Sequence, residues 1–420
     1  MKLPRSLRHL ICAAALVGLA CPAFAVPDSA KTPTSPPALA WSPAVTAKPI
    51  DDTVKRGLAW LIEHQLVDGG WGQGEESTHM GRSMKGMAGQ SNVADTAMAT
   101  LSLLRAGSTP SQGAYADHIN RALDFILKEI EASDADSLWV TSVRGTRVQG
   151  KIGPYVGTFL SAQLLAEVKG QMRSPARNRR IAAALAKVLH KMEKNQREDG
   201  GYTGRGWAPV LSQALAVKGT NRAFQQGAMV SRKMRDQSAK WAASKFDQKS
   251  GTFSRAGSAG IDLYGTAATV GGLGDSAASD ALEAEELEEV AVNAPTETAR
   301  DEAKARLARM AETKRVQKAA NTALVARMSD QKFMNGFGSN GGEEFLSYML
   351  VSETLVAKGG DEWKHWDAAM VRNLNHVQNG DGSWTGHHCI TGRTFCTAAA
   401  LLVLMADRAP KPLAKKLGRG

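Results

Sequence analysis

The chain of 420 residues has little cysteine, four in all, and two of these, Cys12 and Cys21, lie near its start. A disulfide-rich scaffold is therefore excluded. It has no apolar run of the roughly 20 residues that a membrane-spanning helix requires, so no transmembrane segment is expected. It has basic excess, with a formal charge of +11, but no clustered basic stripe. A dispersed charge of this kind favours solubility and gives no reason to expect a nucleic-acid partner.

What is present begins with MKLPRSLRHLICAAALVGLACPAFA (1–25), in which Lys2, Arg5 and Arg8 precede an apolar stretch and the small-residue triplet Ala23-Phe24-Ala25. This is the pattern of a secretory signal peptide cleaved before Val26, and it predicts an exported protein, periplasmic or extracellular. Removing the leader lowers the charge from +11 to +8. It also leaves only Cys389 and Cys396, seven positions apart. In an oxidising compartment the favoured expectation for such a pair is a disulfide. Zinc held by His387, His388, Cys389 and Cys396 is the alternative, and two unpaired thiols the third. Residues 26–50 are rich in proline and predict a disordered linker; residues 408–420 predict a loose basic tail.

Between these ends one motif recurs. RGLAWLIEHQLVDGGW (56–71) sets Gln65 and Trp71 six residues apart across a pair of glycines. Gln196 and Tyr202, Gln248 and Phe253, Gln331 and Phe337, and Gln378 and Trp384 repeat the spacing, exactly or with one residue fewer, and ASDADSLWVT (132–141) keeps only Trp139. A one-faced amphipathic segment precedes each copy, as with Ile181, Leu185, Val188, Leu189 and Met192. A segment that is apolar nearly all round follows, as in ADTAMATLSLL (94–104) and TAAALLVLMA (397–406). One-faced helices belong outside and all-round apolar helices inside. The pattern predicts an all-α fold: a single α/α toroid of about six outer–inner helical hairpins over residues 51–407. Its fasteners would be Gln65, Trp71, Gln196, Tyr202, Gln378 and Trp384. The amide serves helix-end carbonyls and the ring wedges between hairpins. The charged stretch at about 276–320 predicts an insertion or an elongated outer helix.

Arg56-Gly57, Trp60-Leu61, Gln65, Gly69 and Trp71 resemble the QW repeat of squalene–hopene and oxidosqualene cyclases. The chain thus resembles the prenyltransferase and squalene-cyclase repeat superfamily, whose fold is an α/α toroid. That fold hosts cyclases, protein prenyltransferases and non-catalytic domains, so the resemblance implies architecture more than chemistry. The family's functional motifs are missing: there is no D-x-D-D acid, no DDxxD cluster for diphosphate and magnesium, no D-x-C zinc pair and no C-G-E-Q thioester. No cofactor and no metal are expected.

Polar residues at the entries to the inner helices are the candidates for a site. Asp95, Asp262, Glu343 and Glu344 are the candidate catalytic carboxylates, with helix capping as the competing role. His79, Arg82, Tyr155, Trp207, Tyr264, Tyr348, His387, His388 and Arg393 are candidate ligand contacts, with core packing the competing role for the aromatic ones. The expected function is the binding or transformation of an apolar, isoprenoid-like or lipidic small molecule in a central cavity. A protein-interaction scaffold with a protein partner and a polysaccharide-processing enzyme are the alternatives.

Overall fold

The computed structural model describes residues 41–43, 45–77, 85–338 and 340–412. The leader, residues 26–40, His79 and Arg82, and residues 413–420 lie outside the described residues.

Helix α1 (Asp52–Glu63), the short α2 (Lys85–Ala88) and α3 (Val93–Arg105) open the chain, followed by α4 (Ala116–Ala132), the short α5 (Arg147–Ile152) and α6 (Val156–Val168). Next come α7 (Pro175–Asn195), α8 (Pro209–Gln225), α9 (Arg232–Ala243) and α10 (Asp262–Asn293). The series ends with α11 (Glu297–Arg327), the short α12 (Gln331–Asn335), α13 (Gly342–Lys358), α14 (Gly360–His376) and α15 (Arg393–Leu404). Every residue of α6 is buried, as is α13 from Gly342 to Val356. By contrast α4 buries only the stripe Ile119, Ala122, Leu123, Ile126, Leu127 and Ile130. Burial on all sides marks the inner layer and a single stripe the outer one. The inner helices α3, α6, α8, α10, α13 and α15 each pack on the next, and α15 packs back on α3. That closed circuit is the all-α toroid the sequence predicts. Small residues bring the inner helices close together: a Cβ on Gly219 of α8 would come within 2.8 Å of the Phe159 carbonyl of α6.

The Gln–aromatic fasteners act as their chemistry suggests. Gln65 Nε2 donates to the Gly69 carbonyl at 2.8 Å and to the His118 carbonyl at the start of α4 at 2.9 Å. Trp71 is fully buried, and its indole N–H donates to the Leu61 carbonyl at 2.8 Å. The last copy repeats this in detail. Gln378 Nε2 donates to Gly382 at 2.8 Å and to Thr53 of α1 at 2.9 Å, and Trp384 Nε1 donates to Leu374 at 2.9 Å. Gln378 thereby ties the last hairpin to the first. Gln196 reaches the Met234 carbonyl and Ser238 Oγ of α9 at 3.3 and 3.1 Å. Each turn needs its glycine: Gly69 and Gly382 both sit at φ +89°, and a Cβ there would strike the backbone of the neighbouring outer helix at Arg121 or Arg56. The weaker copies do not fasten in this way. Gln248 reaches only the exposed Glu312, and Gln331 bonds Asn335 within α12.

Two expectations are corrected. Residues 41–50 and 408–412 are not loose: β1 (Trp41–Pro43) pairs antiparallel with a strand at Pro410–Pro412, the last of four short strands. Lys48 also donates its backbone N–H to Asp407 at 2.7 Å and its ammonium to Asp367 at 2.6 Å. The prolines that suggested disorder lack donors but tolerate a two-stranded edge. Of the two forms expected for the charged 276–320 stretch, the separate insertion is the one corrected, and elongated helices are found. The stretch is the second half of α10 and most of α11, two over-long helices turning at Pro295. An ion cluster binds this hairpin to α9: Glu283 meets Arg235 at 2.6 Å and Arg306 at 3.3 Å.

Candidate functional site at the two ends of the ring

The inner helices run the same way, so their N-terminal ends gather at one mouth of the ring and their C-terminal ends at the other. At the N-terminal mouth, Glu343 and Glu344 occupy the first turn of α13, where the helix dipole favours acids. Both are fully buried. Glu343 Oε2 accepts from the Ile390 amide at 3.0 Å, whereas its Oε1 has no partner. Burial, reinforced by the neighbouring Glu344, pushes the Glu343 carboxyl up to about 8. Glu344 Oε1 accepts from the Tyr264 hydroxyl and from the Phe337 amide, the latter at 2.9 Å. Its Oε2 lies 3.3 Å from His388 Nε2. Burial lowers the His388 imidazole and, with Glu344, raises the Tyr264 phenol. Asp95, in the first turn of α3, exchanges bonds with the N-cap Asn92: its amide donates to Asn92 Oδ1 at 3.0 Å and its Oδ2 accepts from Asn92 Nδ2 at 2.7 Å. Asp95 Oδ1 has no partner, and burial pushes this carboxyl up to about 7. Neither glutamate caps its own helix, and Asp95 only braces the cap Asn92; one oxygen each of Asp95 and Glu343 has no hydrogen-bond partner among the described residues.

Aromatic rings edge this group. Trp207 meets Tyr264 and Phe337 edge-on at centroid separations of 5.9 and 5.4 Å, and Phe337 meets His388 at 4.9 Å. Phe337, the aromatic of a degenerate repeat, is not wedged between hairpins; it is 56% exposed at the mouth. The Lys151 ammonium stands 5.7 Å from the Trp207 ring.

The expected disulfide is absent: Cys389 and Cys396 are free and buried. Cys396 Sγ donates to the Ile390 carbonyl at 3.4 Å, while Cys389, at φ +55°, lies beside Glu343. A separation of seven residues lets the chain bring two cysteines together, but bonding also requires facing Cβ atoms, and these thiols face different partners. Burial pushes the Cys389 thiol up to about 12 and Cys396 well above its ordinary value. Among the described residues, Glu343, His388 and Cys389 each have one possible metal-ligand atom, all within 4.8 Å of one another, so these are the residues that could hold a metal.

The other candidates lie apart from this group. Asp262 is half-buried and pairs with Arg255 at 2.5 Å and Arg327 at 3.6 Å. Tyr348 donates to the Met334 carbonyl at 2.7 Å and packs edge-on against Trp366. Tyr155 packs on Trp139, over which the Arg144 guanidinium stacks at 3.7 Å. Arg393 bridges Asp381 and Glu75, and His387 is exposed, its amide donating to Asn340 at 2.8 Å.

The C-terminal mouth is built differently. Arg105 and Glu167 form a buried bidentate pair at 2.6 and 3.0 Å. Lys218 meets Glu353 at 2.6 Å and Asp275 at 2.9 Å, with Arg222 within 3.9 Å of both carboxylates. Burial works against ionising Glu353, but Lys218, Arg222 and Arg105 outweigh it and hold the carboxyl down at about 2. Above this network is a cavity of about 540 Å³, walled by aliphatic residues such as Ala278, Leu307 and Met310 together with Asp280, Glu288 and Lys314, and floored by the Lys218 network. The over-long α10–α11 hairpin forms its outer wall. This cavity lies at the opposite end from the candidates chosen from sequence. The signal for it was charge in the C-terminal halves of the largely apolar inner helices: Arg105, Glu167, Lys218, Arg222 and Glu353.

Residues 38–143 match the family model of the squalene-hopene cyclase C-terminal domain. The chain is thus similar, over that stretch, to a member of the terpenoid cyclase and prenyltransferase superfamily, and its helical ring agrees with that likeness. No curated protein matches the chain. Among the described residues no helix is long and apolar enough to cross a membrane.

Proposed function

We propose that the protein is an exported, terpene-cyclase-like toroid that binds an apolar, isoprenoid-like or lipidic ligand in the cavity at the C-terminal mouth. The observation that supports it is the cavity itself: about 540 Å³, with walls largely of alanine, leucine, methionine and valine and a few charged side chains, Asp280, Glu288 and Lys314, among them. That volume lies within the range of small-molecule sites, which are mostly apolar with a few placed polar groups. Each methylene taken out of water there contributes about 0.8 kcal/mol. The floor is charged yet internally compensated, since Lys218 already faces Glu353 and Asp275. It suits a hydroxyl or a compact polar head better than a free ion. Transformation of the ligand is not part of the proposal, because the carboxyls held protonated near neutrality stand at the other mouth.

The test is native mass spectrometry and lipid extraction of protein purified from an export-competent host. An isoprenoid or lipid adduct on the wild type that is lost in Ala278→Trp, which fills the cavity, is the expected result. A folded ring that never carries an adduct refutes the proposal. Capture of a protein partner by that empty ring would favour a scaffold, and reducing-sugar release from polysaccharides would favour the third alternative.

A further inference from the structure

Three ligand groups of different chemistry lie close together at the N-terminal mouth, and their hydrogen-bonding capacity is only partly used. Glu343, His388 and Cys389 offer a carboxylate oxygen, an imidazole nitrogen and a thiol, mutually within 4.8 Å. Among the described residues His388 Nδ1 and Glu343 Oε1 have no hydrogen-bond partner, and His388 Nε2 has only Glu344 Oε2, 3.3 Å away. Leaving such atoms unpaired costs about 1–3 kcal/mol each, so their meeting at one point calls for a shared partner. We propose that Glu343, His388 and Cys389 bind a divalent metal ion of the zinc class.

The donor set suits that choice. Thiolate, imidazole and carboxylate together are the ligands of zinc, and hard cations such as magnesium or calcium take oxygen almost alone. One thiolate and one carboxylate carry two negative charges and balance a dication, so the buried site ends neutral. On binding, the Cys389 S–H bond breaks, the sulfur keeps the electron pair to bond the metal, and the proton leaves to solvent. Three protein ligands leave a fourth tetrahedral position for water or an exogenous ligand.

The surroundings are those of a built site. Cys389 holds a left-handed backbone, φ +55°, which a side chain adopts only at a cost. Two glycines close around the histidine: a Cβ on Gly338 would come within 2.8 Å of the His388 ring, and one on Gly341 within 2.6 Å. Glu344 Oε2 lies 3.3 Å from His388 Nε2, and Tyr264 and the Phe337 amide anchor Glu344 in turn. A carboxylate behind a histidine is the usual means of fixing a ligating ring's tautomer and orientation. This inference departs from the expectation of no metal, and it is independent of the apolar cavity at the other mouth.

The experiment uses the full mature chain, stripped with chelator and titrated with zinc or cobalt. The wild type should retain one equivalent, and its cobalt form should show thiolate-to-metal charge-transfer absorption. Cys389→Ser should abolish that absorption, while Cys396→Ser, the other buried thiol, should keep it. Glu344→Gln should weaken binding by about 10–100-fold and leave the absorption in place. Far-UV circular dichroism confirms folding of each variant. If Cys389→Ser does not fold, the wild-type spectrum and His388→Gln still decide. A wild type that takes up no stoichiometric metal, or a charge-transfer band that survives Cys389→Ser or His388→Gln, overturns the proposal.

Discussion

At the C-terminal mouth of the ring buried charges face counter-charges; at the N-terminal mouth the buried carboxyls of Asp95 and Glu343 have no ion-pair partner among the described residues. Both arrangements follow from parallel inner helices, whose dipoles favour acids in the first turns and cations in the last. Asp95, Glu343 and Glu344 obey the first preference, and Arg105 and Arg222 the second. The difference is that Glu167, Asp275 and Glu353 compensate the cations, whereas among the described residues Asp95 and Glu343 have no ion-pair partner and Glu344 has only His388. One mouth is therefore electrostatically settled and can floor an apolar cavity. The other is unsatisfied, as a site awaiting a ligand would be.

The two mouths should respond to pH with opposite sign. Glu353 has a folded value held down at about 2, so its contribution is present above its ordinary carboxylate value and is lost as the pH falls toward 2. Asp95 has a folded value raised to about 7 from an ordinary 3.8. The folded ring then binds the proton more tightly than the unfolded chain, so stability falls as the pH rises from about 4 to about 7.

The largest expected effect comes from breaking the settled mouth. Glu353→Gln leaves Lys218 and Arg222 short of a counter-charge and should cost about 3–5 kcal/mol in urea unfolding. The double change Lys218→Met with Glu353→Leu should recover most of it, because a well-packed apolar pair often replaces a buried ion pair without loss. Equal losses in both would show that packing, not charge, holds this end. Next in size, Asp95→Asn should gain roughly 1–3 kcal/mol at pH 8 over the wild type. It should also flatten the decline between about pH 4 and 7; an unchanged pH profile would mean that Asp95 is ionised without penalty. Gln378→Ala removes the amide bonds to Thr53 and Gly382 that close the ring. Chemical denaturation should register about 1–2 kcal/mol, and no change would assign closure to Trp384 packing alone. The smallest effect belongs to Arg393→Ala, a rim pair with Asp381 and Glu75. It should alter stability by less than about 1 kcal/mol; a larger loss would make the N-terminal rim as tightly coupled as the far mouth.

Fold was far more legible than site. Gln65 with Trp71 and Gln378 with Trp384 are strong signals because one amide, one glycine and one indole must act together at each joint, and their spacing is local. Phe337 and Gln331 kept the spacing but lost the surrounding residues, and the structure uses Phe337 at the mouth instead. The acids were found because a helix's first turn is visible in sequence; that Asp262 would meet Arg255 and Arg327 was not, since those arginines come from other elements. The disulfide failed for a similar reason: separation along the chain says nothing about the direction of a side chain. The cavity was missed because it depends on how far α10 and α11 project beyond the ring, which follows from helix length and packing together. The charges that floor it were visible as interruptions in apolar helices but belonged to no motif.

The most direct test of the account is where an apolar ligand binds. Titration with a dansyl-labelled farnesol, read by fluorescence, should give saturable one-to-one binding to the wild type and to Glu343→Gln. Ala278→Trp should bind at least about tenfold more weakly, a loss of roughly 1.4 kcal/mol or more. Undiminished binding by a folded Ala278→Trp, or binding lost in Glu343→Gln instead, would contradict the assignment of the ligand to the C-terminal mouth.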